Sequence, residues 1–161
     1  MALPISIVLT IFTLYIAFFM KKNFSFLHNA ILFMVIAIVT KNYFTIMIME
    51  LKLLKSTEDS TLFVCFLIYR DIMIPMLVVI FLNLFMKTEL RYRRMIIFIG
   101  AIGSFLFIDV FFIYFDIVEW IQWNLFFALI VNVGYMIVGF GISKLLLCIR
   151  DWEGIQHESN L

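Results

Sequence analysis

Five long apolar stretches, separated by short polar connections, constrain this chain more than any other feature. A helix needs roughly 20 apolar residues to cross a hydrocarbon core of about 30 Å. Stretches near that length occupy residues 3–20, 27–49, 61–86, 95–115 and 124–147. With 65% apolar residues and a mean hydropathy of +1.12, the chain holds more greasy surface than one soluble core of its length could bury. The expected fold is all-α: a polytopic transmembrane bundle over residues 1–147, then a loose, solvated polar tail over 148–161.

Charged and polar residues set the limits of each span. The first stops at Lys21-Lys22-Asn23, and its apolar start, with no small-x-small cleavage site before Lys21, reads as a retained span rather than a signal peptide. The second gives way to the charged run Glu50–Ser60, the longest polar connection. The third carries Pro75, which removes an amide donor and should kink or hinge the helix. Trp120 and Trp123, before the last span, read as an interfacial belt.

Lys and Arg collect on the cytoplasmic side of short loops. One side of the proposed bundle gathers Lys21, Lys22, Lys87, Arg91, Arg93, Arg94, Lys144 and Arg150, against Lys52 and Lys55 on the other. That asymmetry puts the amino terminus outside and the carboxyl terminus in the cytoplasm.

Within the spans lie Lys41, Asn42, Arg70, Asp71, Asp109 and Asn132. At 1.5 Å per residue, Lys41, Arg70, Asp71, Asp109 and Asn132 fall about 10 to 15 Å below the outer helix ends, a single polar layer. Lone charges at that depth are costly, so the side chains should face inward and pair. Arg70 and Asp71 point about 100° apart on a helix, which favours Lys41 with Asp71 and Arg70 with Asp109, or the exchanged pairing. Such a layer either locks helix register or lines a path for an ion, a proton or a headgroup.

Two small-residue pairs, Gly100 with Ser104 and Gly139 with Ser143, permit close backbone approach, with packing of the fourth span on the fifth as the expected use and dimerisation as the alternative. Cys65 and Cys148, outside any Cys-x-x-Cys motif, read as two small core residues near opposite faces rather than a disulfide. His28 and His157, alone and apart, read as solvated or interfacial, and no residue set predicts a metal or cofactor. Asp71 and Asp109 invite comparison with intramembrane aspartyl proteases, but Tyr69-Arg70-Asp71 and Ile108-Asp109-Val110 carry no protease motif. The near-neutral charge gives no basic field for nucleic acid. The cluster Arg91-Tyr92-Arg93-Arg94 with Lys87 reads as a topogenic anchor that could also grip anionic headgroups.

Met49-Glu50-Leu51-Lys52-Leu53, the run from Phe66 through Pro75 to Phe85, and Tyr114 to Trp123 together resemble an uncharacterised family of small polytopic membrane proteins from spore-forming Firmicutes. The resemblance implies a bacterial cytoplasmic membrane and brings no activity. With no catalytic motif and tiny soluble portions, the expected role is a non-enzymatic accessory, assembly or sensing component. Its partners would be the bilayer and a membrane protein or a second copy. A small transporter or channel subunit using Lys41, Arg70, Asp71 and Asp109 is the alternative.

Overall fold

The computed structural model describes residues 2–20, 23–121 and 123–159, with side chains up to Ile149. Five helices in it are long and apolar enough to cross a bilayer. They are α1 (Ala2–Phe19), α2 (Phe26–Glu50), α3 (Ser60–Lys87), α4 (Arg91–Tyr114) and α5, which is apolar over Leu125–Ile149 and continues to Ser159. The expected loose tail is therefore helical: no proline interrupts residues 148–159, and Arg150, Trp152 and Glu153 all tolerate a helix.

Helix α3 is the hub, packing against α1, α2, α4 and α5, while α5 also touches α2 and α4. Lipid is as apolar as leucine, so close fit and polar contacts, rather than greasiness, decide which faces turn inward. On α1 the inward face is Ala2, Ser6, Thr10 and Thr13, all small. Thr10 donates to the Ser6 carbonyl (2.7 Å) and Thr13 to the Leu9 carbonyl (2.8 Å), which lets hydroxyls sit in the interface. On α2 the buried stripe is His28, Leu32, Ile36, Thr40 and Phe44, one residue every four.

Helix α3 starts at Asp59, whose carboxylate accepts from the amides of Thr61 (2.7 Å) and Leu62 (3.2 Å), a strong N-cap. The disturbance expected at Pro75 takes the form of a π-helical turn over Tyr69–Met73, closed by the Ile74 amide donating to the Tyr69 carbonyl. Pro75 cannot donate to the fourth residue before it and its ring crowds that carbonyl, so the helix widens just ahead of it.

At one end of the bundle the α2–α3 and α4–α5 connections meet. Strand β1 (Leu54–Ser56) pairs antiparallel with β2 (Val118–Trp120) in the register Leu54↔Trp120, Lys55↔Glu119, Ser56↔Val118. Lys52 (φ 52°) and Asp116 (φ 53°) take left-handed backbone at the bends leading into the strands. At the other end Asn83, almost fully buried, accepts from the amides of Asn23 (3.0 Å) and Phe24 (3.3 Å) and donates to Asn29 Oδ1 (2.6 Å) and the Val79 carbonyl (2.9 Å). This side chain pins the α1–α2 turn to α3.

Several expectations change. Gly139 packs on α3 and α2 rather than α4: a Cβ there would lie 2.8 Å from Leu82 Cδ1 and Val78 Cγ1 and 3.7 Å from Ile36 Cδ1. Ser143, one turn on, is fully buried. Gly100 and Ser104 are exposed and line a groove between α3 and α4 instead of meeting α5. Cys65 is fully buried, whereas Cys148 is exposed; both are free thiols. His28 is buried and stacks on Phe24, with centroids 4.6 Å apart, while the side chain of His157 lies outside the described residues.

Candidate functional site

Beneath the strand pair, four helices contribute polar side chains to one small centre. The π-helical turn of α3 aims Tyr69 at α4, where its phenol donates to Asp109 Oδ1. From α5, Asn132 donates through Nδ2 to Asp109 Oδ2 (2.8 Å). Tyr135, three residues along and therefore on the same face, brings a second buried phenol, and Tyr43 of α2 meets it edge to face at 5.8 Å. Tyr69 also stacks on Phe112, one turn beyond Asp109, with centroids 4.3 Å apart.

These groups surround a cavity of about 40 Å³. Tyr43, Tyr69, Asp109, Asn132 and Tyr135 form its polar wall, and Leu54, Val118, Trp120 and Trp123 roof it. Below lies a plug of fully buried side chains, Leu32, Ile36, Val78, Leu82 and Met136, with Gly139 seated tightly against two of them. The centre is thus a one-sided pocket under a β-cap.

The single charge layer expected from depth is not what the helices build. Arg70 pairs with its neighbour Asp71 in a two-point contact, Nε to Oδ1 at 2.7 Å and Nη2 to Oδ2 at 2.9 Å. The 100° separation that argued against this pairing is bridged because the long arginine folds back, in a segment where the π turn alters the usual angular step. Lys41 and Asn42 are exposed on α2, one step around from the buried Thr40, and Lys41 makes no ion pair among the described residues. Neither anticipated partner therefore reaches it or Asp109. Asp71 and Asp109 share no partner, so no carboxyl pair of the protease kind is assembled.

Of the anticipated residues, Asp109 and Asn132 come together, and Pro75 acts indirectly through the turn that presents Tyr69. Tyr69, Tyr43 and Tyr135 join them as site residues that no sequence motif marks. Their signal was present: each lies roughly level with Asp109 at about 1.5 Å per residue, and a buried phenol calls for a partner. Trp120 and Trp123, expected as interfacial anchors, also roof the cavity.

Outside the spans, two charged groups border the cap. Lys55 is held above its ordinary value by its contact with Glu58 (3.1 Å), with Glu119 across the ladder adding to the effect. The amides of Leu62 and Thr61 hold Asp59 below the usual carboxylate range.

No known protein family, characterised protein or solved structure matches the chain.

Proposed function

We propose that this chain is a non-enzymatic, multi-pass membrane protein that acts as a sensing or accessory component, with the Asp109 pocket as its signal-receiving centre. One observation carries the reading: a carboxylate without a basic partner among the described residues lines a small cavity roofed by the strand pair and floored by buried apolar side chains. Intramembrane ionisable groups are costly and therefore mark function by default. A transport path needs access from both sides, and the packing of Leu32, Ile36, Val78 and Leu82 beneath the pocket argues against one. The charge asymmetry of the connections supports an external cap and a cytoplasmic carboxyl terminus, and the family resemblance supports a bacterial cytoplasmic membrane.

Reconstitution into liposomes carrying an internal pH- or potential-sensitive dye tests this reading. The expected result is leakage no faster than from protein-free vesicles, with a stable membrane-protein partner recovered from native membranes by crosslinking at the cap. Proton or cation flux that Asp109→Asn abolishes would overturn it in favour of a small transporter.

A further inference from the structure

We propose that the pocket beneath the β-cap receives a small organic ammonium ion; the inference rests on the pocket being a signal-binding centre and names the chemistry of the signal. The Asp109 carboxylate offers about four lone-pair positions, and Tyr69 and Asn132 occupy two. Two acceptor positions therefore remain on a carboxylate that no Lys or Arg approaches within an ion-pair distance among the described residues. Its missing counter-charge is the first requirement a ligand would meet.

The walls supply the second. Tyr43, Tyr69, Tyr135 and Trp123 reach the cavity from α2, α3, α5 and the α4–α5 connection, with Tyr43 edge-on to both Tyr135 (5.8 Å) and Trp123 (6.4 Å). Converging aromatic rings stabilise weakly hydrated ammonium groups through the ring quadrupole. The buried Tyr135 Oη sits beside Thr40, whose own proton goes to the Ile36 carbonyl (2.8 Å), and it donates to no acceptor among the described residues. A phenol oxygen is thereby left able to accept an N–H.

The lining decides against a metal ion. Calcium takes about six to eight oxygen ligands and magnesium keeps several waters. Asp109 is the one carboxylate on this cavity's wall, and no group of three His, Cys, Asp or Glu residues that could hold a metal occurs among the described residues.

The cap supplies its own reporter, because Trp120 and Trp123 line the pocket whereas the third tryptophan, Trp152, belongs to the distant end of α5. Full-length protein in nanodiscs is titrated with methylammonium chloride against sodium and potassium chloride at matched ionic strength, reading tryptophan emission. The expected result is a saturable change with methylammonium alone, weakened about tenfold or more in Asp109→Asn, about 1.4 kcal/mol per tenfold. Trp123→Leu, at the half-buried roof, covers the case in which the Asp109 variant does not fold; it should weaken methylammonium protection against thermal unfolding while leaving the unliganded protein folded. Equal responses to all three salts, no saturation, or undiminished binding by both variants would overturn the inference. Such a failure without flux leaves the sensing reading standing, whereas flux removes that reading whatever methylammonium does.

Discussion

Tyr69 and Asp109 belong to different helices, 40 residues apart in the chain, and are joined by a phenol-to-carboxylate hydrogen bond in the interior of the bundle. The π-helical turn makes this contact, since it lies at the residue that the widened segment redirects. Removing the donor leaves a buried acceptor short of a partner, which costs about 1 to 3 kcal/mol. Tyr69→Phe should therefore destabilise the protein by that amount in reversible unfolding in mixed micelles. A variant as stable as the parent would show that the bond adds nothing.

Gly139 tests the floor of the pocket. Gly139→Ala places a methyl 2.8 Å from two buried side-chain atoms, one of them on the β-branched Val78, which has little rotamer freedom. Overpacking of that kind costs about 1 to 3 kcal/mol. Gly100→Ala on α4, with nothing within 4 Å of its would-be Cβ, should be neutral or slightly stabilising in the same assay.

Charge coupling separates the observed pairing from the one suggested by depth. A double-mutant cycle on Arg70 and Asp71 should yield a measurable interaction energy, because the two share a two-point contact. The equivalent cycle on Lys41 and Asp71 should be additive within about 0.5 kcal/mol. Strong coupling in the second cycle would mean that Lys41 reaches inward after all.

The two thiols give a native labelling contrast. Cys148 is exposed and Cys65 fully buried, so a membrane-impermeant maleimide should react at Cys148 alone, and only after intact cells are permeabilised if the carboxyl terminus is cytoplasmic. Labelling of Cys148 from outside would invert the proposed orientation.

Asp59 predicts an acid limit for the cap. Its carboxyl titrates lower in the folded protein than in the unfolded chain, so its contribution is complete above the usual value of 3.8 and fades as pH falls through the depressed folded value. Hydrogen-exchange protection of the first turn of α3, corrected for the intrinsic rate, should fall in that acid window, and Asp59→Asn should flatten the dependence.

Helix positions were legible from the sequence because length and apolarity alone fix them: residues 61–86, for example, became Ser60–Lys87. Azimuth was not legible. Helix faces that meet lipid and faces that meet protein are both apolar, so depth placed Lys41 with the other charges while its direction stayed open. The small stripe Ser6, Thr10 and Thr13 carried the orientation of α1 in a form that hydrophobicity does not register. Nor could the strand pair be anticipated, since each strand has three residues and its partner lies about sixty positions away. Asn83, between two leucines in a run of apolar residues, shows its role only once the α1–α2 turn has folded back onto it.

The pairing of β1 with β2 also sets a schedule for biogenesis. Its second strand emerges only after α4 has been made, and the bend before it is held by the Phe112 and Ile113 carbonyls at the end of that helix. A nascent chain halted after the third span would carry Tyr69 and Tyr43 without the Asp109 carboxylate, so the polar centre cannot assemble piecemeal. It comes into being in one step, when the final hairpin enters the bilayer.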